Sequence, residues 1–318
     1  MARILSGIQP SGRIHLGNYF GMVSRILEHQ KSDANEVFVF IANYHSLTTT
    51  QDRDTLKKNT VNLILDLVAL GVDPAKTIFW VQSDIPEIHE LAWVLSTLTP
   101  FGILQRGHSF KDKIAKGISS THALFAYPVL MAADILGVQP DLVPVGPDQA
   151  QHLQITRDLV LKLNNSFQTD LKVPEPDLFS VTVPGIDRQK MSKSYNNTIP
   201  LFGTDKEVEK QFMRIETDSF AIEEPKTSDT PLVQFYRLLI GEDAFLHEYL
   251  GGGVGYGTLK KALYEAFNLK FGEARLKRQE ISYSEIQPLL ASGAEQARQH
   301  YQNTLKIVRE AVGLVYSE

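Results

Sequence analysis

The sequence predicts an α/β fold: a parallel sheet covered by helices over residues 1–200, followed by an all-helical part over 201–318. Three observations predict it. Short apolar runs alternate with amphipathic stretches through the first half, which is the pattern of strands joined by crossover helices. Stop signals such as Gly71 and Pro74 separate the runs. Beyond Pro200 only the three-to-four spacing of helices remains.

Arg3 to Ser6 reads as the first strand, and Gly7-Ile8-Gln9-Pro10-Ser11-Gly12 as the turn out of it. Leu16 to Gln30 reads as a helix, and Val37 to Ile41 as a buried strand. Asp52 or Asp54 can cap a helix that runs to Leu70, with Gly71 as its stop. Thr77 to Val81 makes a third strand. The β-α-β-α-β order puts Gly7 to Gly17 at the carboxyl end of a strand, where open α/β sheets bind ligands. Ala123 to Leu136 reads as a helix that Pro128 would kink, Leu142 to Val145 as a short strand, and Pro147 to Leu163 as another helix. Helices are expected at Asp205 to Thr217, Leu232 to Leu239 and Leu259 to Leu269. A long final helix carries Ala297, Tyr301, Leu305, Val308, Val312 and Val315 as an apolar stripe, read as core packing. Gly251 to Gly257 is a glycine-rich loop that does not fit GxGxxG.

Composition narrows the function. At 318 residues the chain is long for one core, and its 43% hydrophobic content supports a folded protein. No apolar run reaches membrane-spanning length and no signal-peptide pattern opens the chain, so a cytoplasmic protein is expected. With no cysteine there is neither a thiol nucleophile nor a cysteine metal site, and no HExxH occurs. A net charge of −5 argues against a generic basic nucleic-acid binder, although a local basic face would still suit RNA.

Chemistry concentrates in two remote segments. Lys190-Met191-Ser192-Lys193-Ser194 places two lysines among hydroxyls, between Pro184-Gly185 and Asn196-Asn197. Such a loop can put cations on a polyphosphate; alone, a short Lys/Ser stretch is more often a solvated loop. Arg13-Ile14-His15-Leu16-Gly17-Asn18 opens a helix, where backbone N–H groups and the helix dipole favour phosphate. The pair resembles the two marker motifs of the class I aminoacyl-tRNA synthetases, His-Ile-Gly-His and Lys-Met-Ser-Lys-Ser. The second matches fully. The first departs where Asn18 stands for the second His. Asn18 can donate a hydrogen bond to phosphate but carries no charge, which leaves more of the charge to the lysines.

Within that class, Gly7 to Gly12, Tyr127 to Leu136 and Val143 to Gln149 resemble the tryptophanyl-tRNA synthetase family of bacteria, in the same order and at similar separations. The likeness is dense to Ser194 and thinner beyond. The family usually has Glu at Pro147 and Thr-Ile-Gly-Asn at His15 to Asn18. The resemblance implies a Rossmann-like catalytic domain at 1–200 and a helical tRNA anticodon-binding domain at 201–318. It implies a tryptophan slot of Leu5, Gly7, Gln9, His45, Tyr127, Met131, Asp134, Val143 and Gln149. It implies an ATP site of Gln9, Ser11, Gly17, Asn18, Gly146, Asp148, Lys190, Met191, Ser192, Lys193 and Ser194. His15, Asn18, Lys111, Lys190 and Lys193 are the catalytic candidates. Chemistry supports Asp134. Indole offers one donor and no acceptor, so a buried carboxylate identifies it and is left unpaired by phenylalanine.

The implied reaction makes tryptophanyl-adenylate from tryptophan and ATP, then esterifies the terminal 2′-hydroxyl of tRNA(Trp). The nucleophile is already ionised, so no general base is needed, and positioning with charge neutralisation must supply the rate. Mg²⁺ would arrive with ATP; no resident metal is expected. A mobile lysine loop implies closure over ATP. Lys260, Lys261, Lys270, Arg275, Lys277 and Arg278, interleaved with Tyr264, Phe267 and Phe271, read as an RNA face or as an ordinary amphipathic helix. The family is homodimeric. Three alternatives stay open: a tyrosyl-tRNA synthetase, a non-catalytic RNA-binding descendant, and a simple nucleotidyltransferase.

Overall fold

The structure, a computed structural model, describes residues 1–106, 117, 120–146, 149–178 and 181–316. One sheet of five parallel strands organises the first half: β1 (Ala2–Ile8), β2 (Asn35–Ile41), β3 (Thr77–Val81), β4 (Leu142–Val145) and β5 (Glu175–Leu178). Their order is β3-β2-β1-β4-β5. The chain builds outward from β1 through β2 and β3, then crosses to the other side for β4 and β5. A crevice therefore opens between β1 and β4, whose only paired residues are Ile4 and Leu142. That switch of direction is where ligands bind in such sheets.

Strand β2 shows why the sheet is two-sided. Val37, Phe38, Val39, Phe40 and Ile41 are all buried, as a central parallel strand requires. With the period of two, Val37, Val39 and Ile41 join one apolar body while Phe38 and Phe40 join the other. The edge strand β5 has no counterpart in the sequence reading, because Glu-Pro-Asp-Leu lacks apolar alternation. An edge is where proline is tolerated.

The expected helix at Leu16 to Gln30 is present but interrupted. Helix α1 (Leu16–Asn18) passes through a π-helical stretch at Tyr19–Val23 before α2 (Ser24–Gln30). Such wide turns occur frequently at functional sites, and Asn18 borders this one. Helix α3 (Asn43–Ser46) follows β2, and α4 (Arg53–Ala69) begins at Asp52, whose carboxylate accepts the Thr55 N–H at 2.8 Å. Gly71, at φ +109°, ends it as expected. Helices α5 (Glu87–Leu98) and α6 (Phe101–Gln105) are absent from the sequence reading, although Ile88, Leu91 and Leu95 recur at helical spacing. Helix α7 (His122–Val138) contains Pro128, and α8 (Ala150–Phe167) starts at Ala150, three residues after the expected Pro147.

The remaining helices are α9 (Asp205–Met213), α10 (Pro231–Leu239), α11 (Ala244–Gly251), α12 (Tyr256–Glu280) and α13 (Tyr283–Ala311). Helices α9 to α12 share an apolar body with α4 and the Val37 face of the sheet. Helix α13 enters that body at Ile286 and Leu290, then crosses to the opposite one with Ala297, Tyr301, Leu305 and Val308. Its stripe is core, as read from the sequence, up to Val312. Val315 is a correction: it lies beyond the helix end and is 51% exposed. Among the described residues no helix is long and apolar enough to cross a membrane.

The α13 crossing depends on small residues. A Cβ on Gly137, near the end of α7, would overlap the Tyr301 ring. Gly137→Ala is expected to destabilise the protein by about 1–3 kcal/mol, because a rigid ring in a filled core cannot give way and the helix-propensity gain of about 1 kcal/mol is smaller than the strain. A lowered thermal midpoint checks this; an unchanged one would mean the two helices can separate freely.

Candidate active site

The crevice holds a cavity of about 550 Å³ at the carboxyl ends of β1, β2 and β4. Every residue that the sequence assigns to the tryptophan slot lines it. Leu5, Gly7 and Gln9 come from β1 and its exit, His45 from α3, Tyr127, Met131 and Asp134 from α7, Val143 from β4, and Gln149 from the start of α8. Tyr127, Met131 and Asp134 stand four and three residues apart, so one helix face presents all three. Gly7 is glycine because a Cβ there would overlap the Phe40 ring, which underlies the cavity wall.

At the closed end, Asp134 is 1% exposed. Its Oδ2 lies 2.8 Å from His45 Nε2, and Gln82 Nε2 donates to Oδ1 at 2.8 Å and to Oδ2 at 3.0 Å. Burial raises the Asp134 pKa, while the His45 and Gln82 hydrogen bonds favour the carboxylate and oppose the rise. The two partners fix the carboxylate plane without filling all of its acceptor positions. The Tyr301 hydroxyl donates to the Asp134 carbonyl at 2.8 Å, so α13 steadies the same residue through its backbone. Tyr127 Oη lies 2.8 Å from the buried His152 Nε2. Gln82, His152 and Tyr301 were not foreseen. Gln82 sits at the carboxyl end of β3, which was a usable signal; the other two carry no local mark.

At the open end the two remote segments interlock. Leu16 N–H donates to Ile199 O at 3.0 Å and Leu201 N–H to Ile14 O at 3.1 Å. The Gly17 N–H donates to Met191 Sδ at 3.2 Å. A Cβ on Gly17 would lie 3.0 Å from His15 Nδ1 and 3.3 Å from Met191 Cβ, too tight for the joint to close unchanged. Asn18 Oδ1 accepts the His15 N–H at 3.1 Å, which leaves its amide hydrogens for another acceptor. Lys193 Nζ donates to Ser11 O at 3.1 Å and Ser11 Oγ at 3.3 Å.

Ser11, Gly17, Asn18, Gly146, Lys190 and Met191 line the main cavity. His15 lines both this cavity and a smaller one of about 140 Å³ that Lys193 also borders. Ser192 lines neither; its N–H donates to Asn197 Oδ1 at 2.8 Å. Asn197 also binds Asp187 and the Lys190 carbonyl, so it clasps the lysine loop where the sequence offered only a loop boundary. Met191, 5% exposed, anchors that loop in the core. Lys111, Pro147, Asp148 and the Ser194 side chain lie outside the described residues.

Burial governs the charges here. It pulls the Lys193 pKa down to about 8, against the favourable field of Asp66. Burial, with the charge of Lys193, pulls His15 down to about 4, so His15 is a neutral imidazole near pH 7. Among the described residues its buried Nδ1 has no hydrogen-bond partner. Because kcat/KM reports groups of the free enzyme, its value for a phosphate substrate should fall as pH rises through about 8, far below the usual lysine range. Lys193→Arg, always charged, should abolish that limb. A profile flat to pH 10 in the unaltered protein would show that Lys193 does not meet the substrate.

The basic run on α12 falls between the two readings left open for it. Phe267 and Phe271 are buried in the core and cannot stack on bases. Arg275 pairs with Asp205 at 2.7 Å, Arg278 pairs with Asp66 at 2.7 Å, and Lys260 donates to Met213 O at 2.9 Å. Lys261, Lys270 and Lys277 stay exposed.

Comparison with known proteins agrees with this geometry. The model of the tRNA synthetases class I (W and Y) matches residues 1–272. A tryptophan–tRNA ligase of Fusobacterium nucleatum is 47% identical over 323 residues, covering 99% of each chain. One of Rhodopirellula baltica is 47% identical over 320 residues, covering 98% of this chain and 99% of the relative. The crystal structure of tryptophanyl-tRNA synthetase from Campylobacter jejuni, complexed with ADP and tryptophan, superposes with a TM-score of 0.90 at 43% identity, covering 98% of this chain and 99% of the other. Fold, interlocked loops and full-length similarity agree: the chain belongs to the class I tRNA synthetases (W and Y).

Proposed function

We propose that the chain activates L-tryptophan with ATP and transfers it to tRNA(Trp). The observation that carries the reading is the buried Asp134, held by His45 and Gln82 at the closed end of a cavity whose open end is the interlocked Ile14–Asn18 and Lys190–Lys193 segments. Indole N–H donates to Asp134, Tyr127 and Met131 flank the ring, and Gln149 and Gln9 meet the amino-acid head. A tyrosine slot must satisfy a phenol hydroxyl that both donates and accepts; a carboxyl group offering an acceptor at the end of the slot suits the indole donor.

The tryptophan carboxylate oxygen attacks the α-phosphorus of ATP. A P–O bond forms as the bond to pyrophosphate breaks, and the electron pair leaves with pyrophosphate. Lys190 and Lys193, with Lys111, meet the charge on the leaving group; Asn18 and the backbone around Gly17 approach the phosphates. Mg²⁺ belongs to the nucleotide substrate and neutralises phosphate charge when bound. Asp134 is the sole carboxylate among the described residues lining the main cavity, and it is committed to His45 and Gln82. The described residues thus fit an ion held by ATP itself rather than a protein-held one.

In the second step the tRNA terminal 2′-hydroxyl takes the aminoacyl group and AMP leaves. Residues 201–318 form the anticodon-binding part of this reading, with exposed Lys261 and Lys277 available to phosphates. The reading also includes a homodimer acting in the cytoplasm. Pyrophosphate exchange with each amino acid in turn tests it. Exchange driven by tryptophan supports it, exchange driven by tyrosine instead replaces it with the tyrosine enzyme, and no exchange with any amino acid favours a non-catalytic descendant.

A further inference from the structure

The wall that carries Gly17 and Asn18 has a front and a back. Gly17, Asn18, Gly21 and Met22 line the main cavity, whereas Tyr19 and Phe20 do not. Those two rings, both half-buried, meet α12 instead. Tyr19 packs edge-to-face on the buried Phe271, with centroids 4.8 Å apart and planes at 89°, and edge-on to Phe20 at 5.1 Å. Lys270 Nζ lies 5.9 Å from the Tyr19 centroid and 5.8 Å from the Phe20 centroid, so one ammonium serves both rings.

The backbone that separates front from back is the π-helical stretch Tyr19–Val23. Ser24 N–H reaches back five residues to Tyr19 O, and the Ser24 hydroxyl donates to Phe20 O at 3.3 Å. A turn this wide is rare in a helix, so the packing around it must favour it over a regular α-turn. Tyr19 also joins that turn to the phosphate motif. It follows Asn18 directly, and its N–H donates to His15 O at 3.1 Å. Helix α12 is tied to the other segment as well: Arg275, four residues beyond Phe271, donates to Gly203 O at 2.8 Å. Gly203 lies two residues after Leu201, whose N–H is bonded to Ile14 O. One helix therefore backs both halves of the interlock.

We propose that Tyr19 is a positioning residue for the ATP end of the site: gripped from behind by Phe271 and Lys270 of α12, it sets where the wide turn carries Asn18, Gly21 and Met22 into the cavity. The proposal rests on the ATP-dependent activation read above. Its physical content is that a ring outside the cavity fixes the groups inside it, through a chain of ring contacts and one backbone hydrogen bond. Without the ring the turn is free to relax toward regular α-helix, and the Asn18 amide shifts with it.

The test uses tryptophan-dependent pyrophosphate exchange in the full chain, well below each variant's melting temperature, with Tyr19→Leu, Tyr19→Phe, Phe271→Leu, the Tyr19→Leu and Phe271→Leu combination, and Lys270→Met. Tyr19→Leu is expected to lower kcat by about tenfold with the tryptophan KM within about twofold, because the lost alignment acts on the nucleotide and not on the indole slot. Tyr19→Phe keeps the ring and should keep kcat within about twofold. Phe271→Leu should lower kcat in the same direction, and the combination should be no slower than the worse single variant. A merely structural ring would lower the melting temperature and leave kcat in place, which overturns the proposal, as do losses that multiply in the combination or a tryptophan KM that rises as much as kcat falls. Should Tyr19→Leu fail to fold, Lys270→Met decides: Lys270 is exposed, and its loss should lower kcat about two- to fivefold, the size of one exposed cation–π contact. Exchange needs no tRNA, so that fall cannot come from RNA contact, and an unchanged kcat there overturns the proposal. An unaltered protein that exchanges nothing defeats the activation reading, whereas an active one with unaffected variants defeats the Tyr19 proposal alone.

Discussion

Lys193→Ala should slow adenylate formation by roughly 10²–10³-fold, about 3–4 kcal/mol of transition-state stabilisation, while tryptophan affinity stays near that of the unaltered protein. Charge on the leaving pyrophosphate grows as the P–O bond breaks, so a cation placed there acts more on the transition state than on the bound substrate. Lys193 is suited to that task because its resting partners are weak. Its ammonium donates to Ser11 O and Oγ at 3.1 and 3.3 Å, with no carboxylate in direct contact among the described residues. A phosphate oxygen is a stronger acceptor than either. Single-turnover adenylate formation alongside equilibrium tryptophan binding separates the two effects. An equal loss in both would place Lys193 on the amino acid rather than on the phosphates.

Asp134 carries the second large effect. Asp134→Ala should reduce kcat/KM for tryptophan by roughly a hundredfold or more relative to phenylalanine, because the donor of indole loses its acceptor. The ATP KM should change little. The substitution also strands His45 and Gln82, which costs a further 1–3 kcal/mol of stability, roughly the penalty of one unsatisfied buried polar group. Asp134→Asn keeps the volume and separates the two consequences: stability largely survives, whereas selectivity falls because the amide is a weaker acceptor and its NH₂ end repels a donor. Exchange rates with tryptophan and phenylalanine at equal concentration, together with thermal unfolding, read both. Unchanged selectivity in the Asn variant would move indole recognition to another group.

Much of this was legible in the sequence, for physical reasons that can be located. Strands β1 to β4 announce themselves through apolar runs bounded by turn residues, whereas their order in the sheet is visible only in the structure. The interlocked loops were readable because phosphate chemistry confines residue types within a few consecutive positions. What escaped belongs to long-range packing. Gln82 aims at Asp134 from the next strand end, Asn197 clasps a loop through three partners, and Tyr301 reaches Asp134 across 167 positions. The same limit left two readings of α12 open. Phe267 and Phe271 look like stacking platforms beside lysines, and only the third dimension shows that they face inward.

The path of α13 bears on how this protein can be cut and joined. It underlies both sides of the sheet, and its Gly293 lies so close to the Phe79 backbone that no side chain fits between. A fragment ending after α12 would bare Phe38 and Trp80 to water and take away the support behind the selectivity acid. Residues 1–200 are therefore a poor candidate for an autonomous minimal enzyme, while a fusion partner is best attached after Val312, where the chain has left both cores.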